Sequence, residues 1–134
     1  MSAGAGREGD AAAARRLLIL DDDEMLGLLL QTVARLDGLQ VRLTAGPEAF
    51  YAAYEDWAPT HIVLDLTMPA LPGEAVLDEL ARRGCRARIV IASGAEPQRL
   101  ADAARRAGER GLTVAGLLAK PFLPAALRAL LAGG

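Results

Sequence analysis

An aspartate that directly follows a short apolar run is the feature that most constrains this chain. Ile62-Val63-Leu64 leads into Asp65, and Met68-Pro69 then stops any regular element. Two of the three apolar residues are β-branched, which favours a buried strand. The pattern therefore predicts that Asp65 stands at the carboxyl end of a strand. An aspartate in that position is more often a turn residue or a helix cap, so its meaning depends on its neighbours.

Three further apolar runs also end in polar or charged side chains. They are residues 17–20 before Asp21, Asp22, Asp23 and Glu24, residues 89–92 before Ser93, and residues 114–119 before Lys120. If the strands are parallel neighbours, all these side chains meet at one edge of one sheet. Acids at a helix start are ordinary partners of the helix dipole, which accounts for one or two of the four acids but hardly for all of them.

Amphipathic patterns between these runs predict helices. Met25, Leu28, Leu29, Thr32, Val33 and Leu36 recur at helical spacing before Asp37-Gly38. Further helices are predicted over residues 47–56, 97–110 and 124–131, and one more follows the loop over residues 68–73 and stops at Gly84, while residues 40–44 alternate as in an edge strand. Strands that alternate with helices predict a parallel sheet with helices on both faces.

Connection rules then limit the order of the strands. Right-handed crossovers and an outer second strand predict the order 2-1-3-4-5, an α/β, flavodoxin-like three-layer sandwich with a five-stranded parallel sheet. The direction of winding reverses between strands one and three, and ligands bind at the carboxyl ends beside such a reversal. Asp21, Asp22 and Asp65 would stand at that point.

Composition limits the classes of protein to which the chain can belong. Its 134 residues, 52% of them hydrophobic, suit one domain, which we expect at residues 15–132 after a disordered leader over residues 1–14. A net charge of -2 without a basic stripe argues against nucleic acid as a partner of this domain. The longest uncharged apolar run, residues 25–34, is too short to cross a membrane. The single cysteine, Cys85, suits a structural role in a reducing cytoplasm.

The predicted cluster has a definite chemistry. Three carboxylates within a few ångströms cannot all stay ionised unaided, and Mg²⁺ suits such a site. Lys120, the one lysine beside 14 arginines, would hold a carboxylate, and Ser93 offers a hydroxyl on the same side. With its charge screened, Asp65 becomes a nucleophile toward phosphorus. His61, the only histidine, leads into the strand and is expected to be structural.

Four motifs, each at the end of a predicted strand, resemble those of the receiver domains of two-component response regulators. They are Leu-Asp-Asp at residues 20–22, Asp-Leu-Thr-Met-Pro at 65–69, Ser-Gly at 93–94 and Lys-Pro-Phe at 120–122. Each motif alone is weak evidence, but the four in this order are specific. The resemblance covers nearly all of residues 17–131.

The resemblance implies that Asp65 accepts a phosphoryl group from a histidine kinase or a phosphotransfer protein. The implied site residues are the Mg²⁺ ligands Asp22, Asp65 and the Thr67 backbone carbonyl, Asp21 acting mainly through water, and Ser93 and Lys120 on the phosphoryl oxygens. A cis peptide before Pro121 is also implied. The family further implies a bacterial cytoplasmic signalling domain rather than an enzyme, with at most slow autodephosphorylation. Its output face would be the fourth helix, fifth strand and fifth helix, acting on a C-terminal output domain or in a homodimer.

Two features depart from the family pattern. Receiver domains usually have Tyr or Phe three residues before the lysine, as a rotamer switch, and this chain has Leu117 there. The interval from Ser93 to Lys120 is also longer than usual, by about a turn of helix.

The long fourth helix and the ending Gly-Leu-Thr-Val-Ala-Gly-Leu-Leu-Ala-Lys-Pro are similar to those of receivers attached to EAL-type cyclic-di-GMP phosphodiesterase domains.

Two alternatives remain open from the sequence. A haloacid-dehalogenase-like phosphatase would use Asp21 as nucleophile with Asp23, but Met25 stands where Thr or Val is expected, and no acidic pair follows Lys120. A pseudo-receiver would keep the fold only for protein contacts. The intact site positions argue against it, whereas Leu117 in place of the aromatic residue keeps it open.

Overall fold

The described residues form alternating strands and helices. The structure, a computed structural model, describes residues 15–67, 72–94 and 96–132. In chain order the elements are β1 (Arg16–Leu20), α1 (Glu24–Leu36), β2 (Gln40–Thr44), α2 (Pro47–Trp57), β3 (His61–Asp65), α3 (Gly73–Arg82), β4 (Arg88–Ser93), α4 (Pro97–Glu109), β5 (Thr113–Ala119) and α5 (Pro124–Ala132). The predicted leader over residues 1–14 lies outside the described residues, as do Met68 and Pro69.

The strands form one parallel sheet in the order β2-β1-β3-β4-β5. The predicted order and fold class are thus confirmed. Between β4 and β5 the register shifts by one residue, so that Ile89 pairs with Val114 but Val90 with Gly116. Because of this shift, Ser93 pairs with Ala119, and Lys120 follows directly at the sheet edge.

Two apolar clusters hold the layers together, one on each face of the sheet. One cluster joins alternate strand residues to Phe50 of α2, Leu80 of α3 and Leu100 of α4. The other joins the remaining strand residues to Leu30 of α1 and Leu127 of α5. The three inner strands are almost wholly buried, as a sheet covered on both faces requires. Their carboxyl ends are therefore held rigidly at one edge.

Helix α1 forms where it is predicted, but most of the residues whose spacing predicts it are not in the core. Only Val33 of that set is buried, while Met25, Leu28 and Leu36 are 79%, 56% and 75% exposed. The buried face consists of Gly27, Leu30, Val33 and Ala34. This face includes small residues, and a methyl group added at Gly27 would lie 3.5 Å from the Leu43 side chain of β2, at ordinary contact distance. A predominantly apolar helix cannot indicate its inner face by periodicity alone.

Gly73, the first residue of α3, fixes how closely that helix approaches β3. A methyl group at this position would lie 2.7 Å from Leu66 Cα and 3.1 Å from the Asp65 carbonyl oxygen. Both are backbone atoms of the segment that carries Asp65, so neither can move aside without disturbing the site. The close contact therefore ties the position of α3 to that of Asp65.

We expect Gly73→Ala to lower the free energy of unfolding by about 1–3 kcal/mol, because the added methyl overpacks the backbone. The matched control is Gly108→Ala in α4, where nothing lies within 4 Å of the added methyl. That variant should be neutral or up to about 1 kcal/mol more stable, because alanine favours the helix. Urea unfolding measures both, and equal stability of the two variants would contradict the packing argument.

Candidate functional site

Asp65 ends β3 with its side chain buried and its oxygens occupied. Its Oδ1 accepts hydrogen bonds from the backbone N and from Oγ1 of Thr67, at 2.8 and 2.7 Å. Its Oδ2 accepts a hydrogen bond from Lys120 Nζ at 3.1 Å, and the side chain is 4% exposed. The two Thr67 groups fix the orientation of the carboxylate through a local turn, which is an ordinary arrangement after a strand.

Lys120 connects the far strand of the sheet to both buried acids. Its Nζ lies 2.9 Å from Asp21 Oδ2 and 3.1 Å from Asp65 Oδ2. Its backbone N donates to the Ser93 carbonyl at 2.9 Å, which anchors the residue at the end of β4. The peptide bond that follows, to Pro121, is cis. Lys120 is thus held by its backbone at one strand end while its ammonium spans the other two.

The three aspartates that follow β1 differ in burial and in hydrogen bonding. Asp21 is buried, and its Oδ1 accepts a hydrogen bond from the Asp23 backbone N at 2.9 Å. Asp22 is exposed, and Asp23 caps α1 by accepting a hydrogen bond from Leu26 N at 3.2 Å. Asp23 therefore has the helix-cap role expected for part of the cluster. Asp21 and Asp22 remain for other chemistry.

The carboxyl oxygens of Asp21, Asp22 and Asp65 lie close enough to share one ion. One oxygen from each of the three residues lies within 4.8 Å of the others. Three hard oxygen donors, two of them buried and one open to water, fit Mg²⁺, which binds a few carboxylates and retains several waters. The donor set therefore fits the metal predicted from the sequence.

Burial and neighbouring charges shift the pKa values of Asp21 and Lys120. Burial raises the pKa of Asp21 above its ordinary value of 3.8, and the charge of Asp65 acts in the same direction. The Asp23 amide and Lys120 oppose this shift without cancelling it. For Lys120, burial alone would lower the pKa, but the hydrogen bonds and charges of Asp21 and Asp65 outweigh it and raise that pKa. The ammonium is thus firmly charged, while Asp21 has a larger proton affinity than a free carboxyl.

The other residues singled out from the sequence lie in different places. Ser93 is fully buried at the end of β4, on the edge that carries Asp65. Leu117, in the position of the missing aromatic, is 40% exposed on β5. His61 is buried at the opposite, amino end of β3, where its Nδ1 lies 2.8 Å from Thr60 Oγ1. Burial lowers its pKa, as do the nearby Arg15 and Arg88. Cys85 is buried and free.

Arg99 and Glu74 are contacts of the site that sequence analysis missed. The Arg99 Nη2 donates to the carbonyl of Leu66, the residue after Asp65, at 2.9 Å. Its Nε and Nη2 also bond to Glu74 at 2.8 and 2.9 Å. The interaction joins residues 33 positions apart, and neither side chain belongs to a motif. No local signal in the sequence could have indicated it.

Comparison with known proteins decides the family. A sequence model of the response regulator receiver domain matches residues 17–132. The chain belongs to this family. Receiver domains are phosphoacceptors that bind Mg²⁺ at an acidic pocket and interact with histidine kinases or phosphotransfer proteins. The described residues of this receiver domain carry a cluster of three acids at the sheet edge.

Individual relatives agree with the family model. The receiver domain is 29% identical over 111 residues to the chemotaxis protein CheY of Bacillus subtilis, covering 81% of this chain and 88% of that protein. It is 29% identical over 112 residues to CheY of Thermotoga maritima, covering 82% and 88%. The fold also matches the crystal structure of a CheY-like receiver domain protein from Methanospirillum hungatei, with a TM-score of 0.79 at 18% identity over 90% of this chain and 93% of that one. The phosphatase and scaffold alternatives are not favoured by these relatives.

Among the described helices of the receiver domain, none is both long and apolar enough to span a bilayer.

We expect Lys120→Met to destabilise the metal-free receiver domain by about 3–5 kcal/mol at pH 7, because it leaves two buried carboxylates without their cation. A carboxyl whose pKa is higher in the folded state favours folding most when protonated, so its contribution to stability is lost as pH rises through that pKa. Removing Lys120 raises the pKa of Asp21 further. The deficit should therefore shrink as pH falls toward 4, in urea unfolding with EDTA present.

Lys120→Arg is the matched control, because it keeps the positive charge and should retain most of the stability at both pH values. An equal deficit for Lys120→Met at neutral and acid pH would contradict the electrostatic account. So would an equal loss in the two variants.

Proposed function

We propose that this receiver domain accepts a phosphoryl group on Asp65 from the phosphohistidine of a histidine kinase or a phosphotransfer protein. The observation that carries the proposal is the contact of Asp65 Oδ2 with Lys120 Nζ beside the other two acids. A carboxylate that is fixed, screened and held at a strand end is poised as a nucleophile. Family membership supports the same role, because receiver domains are phosphoacceptors.

The proposed transfer step is a displacement at phosphorus. An Asp65 carboxylate oxygen attacks phosphorus, an O–P bond forms, and the P–N bond to the donor histidine breaks. The bonding electrons leave with the imidazole nitrogen, which takes a proton from water. Lys120 is placed to neutralise charge on the transferred oxygens, and the Ser93 hydroxyl is proposed to donate to one of them. The product is an aspartyl phosphate, and water can later hydrolyse it.

Mg²⁺ is the proposed cofactor of this step. We propose that Asp22, Asp65 and the Thr67 backbone carbonyl bind it directly, and that Asp21 acts mainly through water. Once bound, the ion neutralises charge on the transferring phosphoryl group. Asp21 also holds Lys120 in position through its 2.9 Å contact. The burial of Asp21 and Asp65 keeps their carboxylates oriented toward the shared site.

The surroundings of the site suit a protein as phosphodonor. A cleft of about 340 Å³ borders Lys120 and is lined also by Leu26, Leu29, Pro121 and Phe122. Apolar side chains beside a charged site offer a partner protein contact area as well as chemistry. We propose that the domain acts in the cytoplasm and that it is a phosphoacceptor with at most slow autodephosphorylation rather than an enzyme.

The proposed output surface is the face formed by α4, β5 and α5. Phosphorylation adds negative charge and three acceptor oxygens beside Ser93, at the start of the connection to α4. A shift of this face would then signal to an attached C-terminal domain or to a second copy of the chain. Residues 15–132 would form the domain that switches.

Trapping the phosphorylated residue tests the proposal. We expect acetyl phosphate with MgCl₂ to label wild-type protein on Asp65, detected by mass spectrometry after borohydride reduction of the acyl phosphate. Asp65→Asn should not be labelled, because the amide is not a nucleophile toward phosphorus. Asp56→Asn is the matched control, because Asp56 is an exposed acid of α2 with a 76% exposed side chain, and it should be labelled like the wild type.

The position of the label distinguishes the possible functions. Labelling of Asp21 in place of Asp65 would favour the phosphatase mechanism. Equal labelling of wild type and Asp65→Asn would contradict the proposal, and a folded wild type without any label would favour the scaffold.

A further inference from the structure

Arg99 joins the first turn of α4 to the backbone that carries Asp65. Its guanidinium donates to the Leu66 carbonyl at 2.9 Å, one residue beyond the proposed phosphoacceptor. The same group makes a bidentate ion pair with Glu74 in the first turn of α3, at 2.8 and 2.9 Å. One side chain therefore contacts three segments, namely α4, α3 and the end of β3. The guanidinium shares its donors between Glu74 and the Leu66 carbonyl, and so links these three segments.

Other ion pairs between α3 and α4 lie farther along the helices. Arg106 of α4 pairs with Asp78 of α3 at 2.9 Å, and Arg110 pairs with the same carboxylate at 3.4 Å. These pairs resemble the Arg99–Glu74 pair in partners and exposure, but Arg106 lies two turns farther along α4 and Arg110 directly follows its last residue. They hold the helices together at a distance from the site. Arg99, in contrast, also donates a hydrogen bond to the backbone beside Asp65.

The charge on Asp65 already acts on Arg99. The pKa of Arg99 is raised first by its hydrogen bond to Glu74, against the opposing effect of burial, and the charges of Glu74 and Asp65 add to the rise. The guanidinium is therefore within electrostatic reach of the carboxylate that is proposed to be phosphorylated. A phosphoryl group would increase the negative charge there and offer three further acceptor oxygens.

Position 117 does not carry an aromatic side chain in this chain. Leu117 has no ring whose rotation could report on the site, and it is 40% exposed on β5. The end of β4 at Ser93 and the start of α4 at Pro97 are close in the chain. A device that acts on α4 directly needs no aromatic residue on β5.

We propose that Arg99 is the residue through which phosphorylation of Asp65 repositions α4 in this chain. This inference rests on the proposed function. The phosphorylated aspartate competes with Glu74 for the guanidinium, because both are anions and the same donors serve both. When Arg99 turns toward the phosphoryl group, the first turn of α4 moves with it and its tie to α3 loosens. Glu74 thereby acts as the restraint that holds the unphosphorylated arrangement.

The test compares the response of α4 in matched variants of the full chain. Beryllofluoride with MgCl₂ mimics the phosphoryl group, and amide chemical shifts of residues 98–102 report on the beginning of α4. In Arg99→Gln we expect these shift changes to fall to about half or less of the wild-type values, because the link is cut. Arg106→Gln removes an ion pair of the same kind away from the site and should respond like the wild type.

A second variant separates a switch from a merely structural tie. Glu74→Gln removes the competitor and leaves the Arg99–Leu66 hydrogen bond, so the amides of α4 should lie closer to their activated positions even without beryllofluoride. A structural tie would instead make Glu74→Gln and Arg99→Gln alike. Arg99→Lys, which keeps the charge but not the bidentate fork, should restore part of the response.

The outcomes distinguish this inference from the proposed function. Acetyl phosphate labelling of Asp65 is measured on every variant, and wild-type protein without label overturns the proposed function and this inference with it. Normal labelling with a full α4 response in Arg99→Gln overturns the role of Arg99 alone. If Arg99→Gln does not fold, the Glu74→Gln result decides. Unphosphorylated α4 amides that are unchanged in that variant would overturn the inference.

Discussion

The ammonium group of Lys120 lies between two buried carboxylates, and the whole sheet edge depends on that contact. Asp21 and Asp65 come from neighbouring strands and are almost inaccessible to water, so their charges would repel strongly without a cation between them. A flexible, compact ammonium can approach both at about 3 Å. The register shift in β5 is what brings it there, because the shift pairs Ala119 with Ser93. The strand register therefore places the cation that neutralises the two buried carboxylates.

The same arrangement prepares the site for its proposed ligands. Burial raises the pKa of Asp21, so that holding this residue ionised costs stability unless a cation is near. Three carboxylates face one ammonium at this site, and one oxygen from each of the three lies within 4.8 Å of the others. A phosphoryl group on Asp65 would add negative charge there and attract the side chains of Lys120 and Arg99. Such a site responds to charge because its own charges are constrained by a rigid core.

The sequence indicated the strands, their order and the residues Asp21, Asp22, Asp65 and Lys120, because apolar runs ending in polar groups leave few other arrangements. The face of α1 could not be predicted, since apolar residues surround most of that helix and leave no single stripe that marks its inner side. The Arg99–Glu74 link was also beyond sequence analysis. The same side chain donates to the Leu66 carbonyl, and a backbone carbonyl that is left to bond with a side chain can be recognised only in the three-dimensional structure.

The central claim is that Asp21, Asp22 and Asp65 form one cation site that Lys120 keeps assembled. Thermal unfolding with increasing MgCl₂ tests it directly, because an ion that binds only the folded chain raises the melting temperature by an amount that grows with the logarithm of its concentration relative to Kd. Wild type and Asp23→Asn should both be stabilised, since asparagine caps a helix as well as aspartate and Asp23 lies outside the cluster. Asp22→Asn should lose most of this stabilisation. If Asp22→Asn and Asp23→Asn respond to Mg²⁺ equally, the ion does not bind at the cluster and the account is wrong.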